Sequence, residues 1–196
     1  DTLGGESSQA LASSWGGNVI VDWSYNEAGL FRAFRWDPVG EIQALPILTN
    51  TYYSRAYDVN HDGSLIVGST TLLNTGTKAV RWQWGIGVED LNATYANLLS
   101  DGSILEFATA ITPDGRYIAG MGIHATTHRK EAFVLDTWRA GDTNGDGCVD
   151  DTDLLNVLFA FGTPGTDDAR HEDINKDGTV DDADLLIVLF NFGSGC

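Results

Sequence analysis

Asp142-Thr143-Asn144-Gly145-Asp146-Gly147-Cys148-Val149-Asp150-Asp151-Thr152-Asp153 is answered 31 residues on by Asp173-Ile174-Asn175-Lys176-Asp177-Gly178-Thr179-Val180-Asp181-Asp182-Ala183-Asp184. Both stretches spell D-x-N-x-D-G, with acids again at positions 9 and 12. Calcium takes about six to eight hard oxygen ligands, and side chains at alternate positions of a tight loop can converge on one ion. Glycine at position 6 permits the sharp turn, and the carbonyl of position 7 is an expected ligand. The pattern therefore predicts two Ca2+ ions. The first would be held by Asp142, Asn144, Asp146, the Cys148 carbonyl, Asp150 and Asp153. The second would be held by Asp173, Asn175, Asp177, the Thr179 carbonyl, Asp181 and Asp184. Position 12 is Asp in both loops, one methylene shorter than the Glu usual in an EF-hand.

Working outward, each loop runs into a near-copied apolar stretch, Leu154 to Phe161 and Leu185 to Phe192. These read as short helices stopped by Gly162 and Gly193. Two loop–helix halves without an entering helix resemble a dockerin, over the whole of 142–196. The resemblance implies a small α, calcium-loop domain with pseudo-twofold symmetry, and it carries the calcium residues position by position. It does not carry the partner. Cellulosomal dockerins show Ser-Thr and basic pairs near positions 10 and 11, whereas this chain has Asp151-Thr152 and Asp182-Ala183, and the helices hold no Lys or Arg. The resemblance also implies neighbouring termini, so that a Cys148–Cys196 disulfide would clasp the module shut.

The chain holds two cysteines, Cys148 and Cys196. Two thiols fit one disulfide in an oxidising compartment, or else two free thiols, one of them terminal. A secreted, extracellular or cell-surface protein is expected.

Upstream, three stretches repeat. They are Ser8-Gln9-Ala10 … Gly17-Asn18-Val19-Ile20-Val21 … Arg32-Ala33-Phe34-Arg35-Trp36, then Ser54-Arg55-Ala56 … Gly63-Ser64-Leu65-Ile66-Val67-Gly68 … Lys78-Ala79-Val80-Arg81-Trp82, then Ala108 … Gly115-Arg116-Tyr117-Ile118-Ala119-Gly120 … Glu131-Ala132-Phe133-Val134-Leu135. Such a period marks a repeat architecture. Short Val-, Ile-, Phe- and Trp-rich runs between Gly, Asn, Asp and Pro turns are strand signals, and Asp62-Gly63 and Asp114-Gly115 are hairpin turns. This part resembles the extracellular HAF-repeat proteins over 1–137, although Arg32-Ala33-Phe34 and Glu131-Ala132-Phe133 lack the family's His. The resemblance implies a surface or secreted β-repeat protein and no enzyme activity.

The expected fold class is thus mainly β, propeller-like or stacked β-repeat blades, plus the small α dockerin-like domain. The expected domains are 1–138 and 141–196. Three repeats fall short of the four to eight blades typical of a closed propeller. The chain then reads as a fragment of a longer array, as a body whose edge a neighbouring copy covers, or as a sandwich or irregular array. The Asp1 terminus reads as the start of a processed chain or fragment.

The net charge of -17 excludes nucleic acid and anionic membrane as partners, because both need a basic face. No apolar run spans a bilayer. Asp58-Val59-Asn60-His61-Asp62-Gly63 also spells D-x-N-x-D-G, but Ser69 stands at its position 12, and it reads as a hairpin turn. His124 and His128 read as loop residues. Asn92-Ala93-Thr94 is a glycosylation sequon. Trp36 and Trp82 share one repeat position and are expected to pack inside. Trp23, Trp84 and Trp138 are less regular, which leaves glycan stacking open. No nucleophile elbow, phosphate loop or dinucleotide fingerprint occurs. The chain is therefore read as no enzyme but as an extracellular structural or interaction protein. Its dockerin-like module would mediate assembly with identical copies, as in a filament or surface layer. The alternative is an accessory module docking a carbohydrate-active or cell-surface complex through a cohesin-like partner.

Overall fold

A computed structural model describes residues 1–165 and 171–196. The protein is mainly β, with three antiparallel sheets and few helices. It divides into two compact units, Asp1–Asp136 and Thr137–Cys196, called here the body and the module. The division falls slightly before the 138–141 break read from composition. The reason is that Trp138 and Arg139 belong with the module: Arg139 Nε donates to the Gly147 carbonyl at 3.1 Å, and Trp138 packs edge-on to His171.

In the body, β1 (Gly4–Ser13), β2 (Ile20–Asn26), β3 (Phe31–Asp37) and β4 (Glu41–Ala44) form the first sheet in chain order. The second repeats the arrangement with β5 (Thr51–Val59), β6 (Leu65–Leu72), β7 (Gly76–Gln83) and β8 (Gly87–Asp90), followed by one helical turn, α1 (Leu91–Thr94). The third has three strands, β9 (Ile104–Ile111), β10 (Tyr117–Ile123) and β11 (Lys130–Asp136). The register repeats with the sequence: Ile20 faces Trp36, Ile66 faces Trp82, and Ile118 faces Leu135.

The turns repeat as well. Ser14, Asn60 and Thr112 directly follow the first strand of each repeat, and each accepts the amide five residues on, from Val19, Leu65 and Tyr117. Asp58-Val59-Asn60-His61-Asp62-Gly63 is this turn in the second repeat, with Asp62 accepting from Ser64. Gly63 and Gly115 sit at φ +79 and +82, where a side chain is strained. A Cβ at Gly63 would strike Val19, and one at Gly115 would meet Leu65 Cδ1 at 2.6 Å. Each turn therefore lies over the preceding repeat.

Two apolar cores follow from this stacking. Val19, Val21, Ala33 and Leu45 of the first repeat meet Ala56, Val59, Ile66, Val80 and Trp82 of the second. Val67, Ala79 and Leu91 of the second then meet Ala108, Ile111, Ile118 and Leu135 of the third. Trp82 is 1% exposed and donates to the Pro46 carbonyl at 2.7 Å. Trp36, at the matching position, is only half-buried.

Gly68 and Gly120 mark a close approach of strands. A Cβ at Gly68 would strike the Arg55 carbonyl oxygen and meet Trp82 Cζ3 at 2.8 Å and Ala56 Cα at 2.9 Å. At Gly120 it would strike the Phe107 carbonyl oxygen and meet the Phe133 ring at 2.6 Å. The first repeat carries Asp22 there, a buried carboxylate held by Arg55 Nε at 2.9 Å. Burial pushes the Asp22 carboxyl above its ordinary range, against the pull of Arg55. Since the obstacles at Gly68 are backbone, Gly68→Ala is expected to destabilise the body by about 3 kcal/mol. Denaturant unfolding would measure this, and a change under about 0.5 kcal/mol would refute the packing argument.

Asn92 is engaged within the body. Its Nδ2 donates to Asp90 and to the Leu105 carbonyl, both at 2.9 Å, and its Oδ1 accepts from the Leu105 amide at 2.7 Å. A glycan on Nδ2 would displace these bonds, so the folded chain presents a poor acceptor.

Candidate metal centre

In the module, α2 (Asp151–Ala160) follows the first acidic loop and α3 (Asp182–Asn191) the second. Asp150 and Asp181 are their N-caps, accepting from the amides of Thr152 and Ala183 at 2.8 Å. Asp153 and Asp184 complete capping boxes by accepting the cap amides at 2.9 and 3.0 Å. This reciprocal pairing explains why an acid recurs at positions 9 and 12: it starts the helix as well as supplying oxygen. Each helix stops at a phenylalanine cap, with Gly162 and Gly193 just beyond at φ +77 and +80.

The two halves exchange backbone bonds symmetrically. Val149 donates to Ser194 at 3.0 Å and accepts from Gly193 at 2.8 Å; Val180 donates to Thr163 at 3.0 Å and accepts from Gly162 at 2.8 Å. Beneath these bridges Val149, Val157, Val180 and Val188 are fully buried. Cys148 is disulfide-bonded to Cys196 across 4.8 Å between Cα atoms, which fastens the first bridge covalently. A disulfide of this kind belongs to an oxidising compartment.

Apart from the N-caps Asp150 and Asp181, the predicted ligands fall into three settings. Asp142, Asp153, Asp173 and Asp184 are buried at the loop bases. Asp142 accepts from the amides of Gly145 and Gly147, and Asp173 from those of Asp177 and Gly178. Asp153 Oδ1 takes the amides of Thr143 and Asn144, and Asp184 Oδ1 those of Ile174 and Asn175. Asn144 and Asp146 at one loop tip, and Asn175 and Asp177 at the other, are exposed and bonded to each other. Cys148 and Thr179 follow them, their amides bonded to Asp146 and Asp177.

The donor set is all hard oxygen, as calcium requires. Burial raises the Asp142 carboxyl above its ordinary range, and the negative charges of Asp153 and Asp146 push the same way, opposed by the Gly145 and Gly147 amides. Asp142 thus holds its charge against burial and against two neighbouring carboxylates, which is the electrostatic setting a cation relieves. Among the described residues no group of three or more His, Cys, Asp or Glu side chains is drawn together tightly enough to form a metal cluster. The residues fit calcium in donor chemistry, while their side chains bond to loop amides and to one another.

Several features here lie outside any calcium motif. Trp138 lies so close over the first loop that a Cβ at Gly145 would strike its ring, and Arg139 ties down the Gly147 carbonyl. Their position just ahead of the first loop is the one signal the sequence offers for them. The outward helix faces are apolar in duplicate: Phe159 and Phe190 are each 83% exposed. Leu155, Leu158 and Phe161 on one half, and Leu186, Leu189 and Phe192 on the other, are each about half-exposed.

No family model matches the chain. No curated protein matches it either. Among solved structures it is similar to TolB from Acinetobacter baumannii, at 15% identity and a TM-score of 0.47, covering 68% of this chain and 30% of that one. It is also similar to a putative TolB from Agrobacterium tumefaciens, at 14% identity and a TM-score of 0.49, covering 67% and 46% respectively. The chain therefore spans less than half the length of either.

Proposed function

We propose that this is a non-enzymatic extracellular structural or interaction protein whose calcium-stabilised, dockerin-like module mediates assembly. The observation that supports this reading is the duplicated apolar surface on α2 and α3. Large apolar side chains gathered on the outside of so small a unit are the usual mark of a protein–protein contact. Phenylalanine is among the residues enriched in the cores of such contacts. The acidic loops hold both helices from their N-termini, so an ion bound there would fix the two faces in place. Identical copies are the proposed partner, giving a filament or surface layer.

Light scattering and electron microscopy of the full chain would test this. Large species are expected in calcium. They should disappear on chelation, and also in a Phe159→Ser/Phe190→Ser variant in calcium. A chain that remains monomeric in calcium would overturn self-assembly through the module and favour the other reading, docking on a cohesin-like partner.

A further inference from the structure

Asn144 is the only asparagine of the chain that is followed by glycine. An asparagine carboxamide is open to attack by the main-chain nitrogen of the next residue, and glycine, having no side chain, obstructs that nitrogen least. The second loop carries Asn175 at the same position, but Lys176 follows it.

The two asparagines are held alike. Asn144 Nδ2 donates to Asp146 Oδ2, and Asn144 Oδ1 accepts the Asp146 amide, both at 2.9 Å. Asn175 makes the same two bonds to Asp177, also at 2.9 Å. Both residues are exposed at their loop tips, so water reaches them. What separates the two sites chemically is the residue that follows.

We propose that Asn144 is a self-modification site, a deamidation switch that is blocked while the first loop is folded and acts once the loop opens. The Gly145 nitrogen attacks Asn144 Cγ. That C–N bond forms, the Cγ–Nδ2 bond breaks, and the Gly145 amide proton leaves with Nδ2 as ammonia. Water then opens the succinimide. Opening at Cγ leaves an aspartate; opening at the main-chain carbonyl leaves an isoaspartate, whose main chain runs through the former side chain.

The folded loop withholds both reacting groups. Gly145 N–H is committed to Asp142 Oδ1 at 2.7 Å, and the Asn144 carboxamide is tied to Asp146 at both ends. The Trp138 ring leaves no room even for a Cβ at Gly145, which holds this stretch of main chain still.

Either product hinders reclosure. The aspartate sets a carboxylate against Asp146 where an amide had donated. The isoaspartate lengthens the main chain by a methylene just ahead of Gly145, whose amide must meet Asp142 together with that of Gly147. Each event therefore retires the first half of the module for good and sets a one-way limit on the lifetime of whatever the module holds together. That an ion keeps the loop closed rests on the calcium reading above.

Peptide mapping by mass spectrometry of the full chain, incubated at mildly alkaline pH, reads the conversion. Asp-Gly steps release no ammonia and leave the mass unchanged, so the mass increment reports asparagine alone. In denaturant Asn144 should convert well ahead of Asn175. With calcium at about a hundredfold excess over Kd, Asn144 should convert about a hundredfold more slowly than in chelator, because binding lowers the open population by that factor. Lys176→Gly should bring Asn175 up to the rate of Asn144 in denaturant. Lys176 sits at φ +60, where glycine relieves the backbone, so this variant folds. Equal rates at Asn144 and Asn175 of the wild-type chain in denaturant would overturn the site. Conversion of Asn144 as fast in the calcium-loaded chain as in denaturant would overturn the gating. A fully converted chain that regains its whole helix signal in calcium would overturn the retirement of the first half. If denaturant speeds conversion and chelator does not, the switch stands and the calcium reading fails.

Discussion

Chelating calcium is expected to abolish the helical signal of α2 and α3 while leaving the β body folded. The module is small and its apolar core is short: Val149, Val157, Ala160, Val180 and Val188, with Leu154, Ile174 and Leu185 at its margin. A domain of this size has little stability to spare. Against that core stand four carboxylates in each loop, of which Asp142 already has its charged form disfavoured by burial and by Asp153 and Asp146. An ion bound to the native state alone adds about 2.7 kcal/mol per site at a hundredfold excess over Kd, so two sites contribute about 5 kcal/mol. That exceeds what the core can hold in reserve. Far-ultraviolet circular dichroism of the full chain, before and after chelator and after calcium is restored, should show a reversible loss of helix. Unchanged helix content would mean that calcium does not stabilise these loops.

Sequence alone made the periodic features legible, because they depend on local chemistry. The D-x-N-x-D-G spacing marks two loops in which acids recur, and the structure gives those acids a second job as helix caps and amide acceptors. Gly162 and Gly193 mark the helix ends where the backbone turns left-handed. The repeat of Ala10, Ala56 and Ala108 was visible as spacing. That Ala10 is exposed and the other two buried was not, since burial is set by the neighbouring sheet rather than by the residue's own repeat. The third sheet's missing fourth strand was equally hidden, because after Asp136 the chain passes directly into the module. The exchange of bonds by Val149 and Val180 joins positions far apart in sequence, and no local pattern announces it.

Replacing Asp184 by alanine should unfold the second half of the module even in saturating calcium. Asp184 is fully buried. Its Oδ1 accepts the amides of Ile174 at 2.7 Å and Asn175 at 3.0 Å, and its Oδ2 accepts that of Asp181 at 3.0 Å. One side chain thus fixes the start of the loop to its end, and alanine would strand three N–H groups at once. A buried unsatisfied donor costs about 1–3 kcal/mol, and the helix loses half its capping box, so a loss of roughly 4 kcal/mol follows. Asp184→Asn should cost less. Its carbonyl oxygen can keep the bonds to Ile174 and Asn175, but its Nδ2 would then face the Asp181 N–H, donor against donor. The order of stability is therefore wild type, then Asn, then Ala. The order tests the hydrogen-bond role apart from the metal role, since a residue needed only as a charged ligand would make the two variants equal. Thermal melts followed at the helix signal, in excess calcium, would decide it. The matching substitution at Asp153 provides an internal reference, because that half carries the same bonds with the Cys148–Cys196 disulfide added. The disulfide keeps the bridge at Val149 closed when the loop loosens, so Asp153→Ala should leave more residual helix than Asp184→Ala, and reduction of the disulfide should erase that difference.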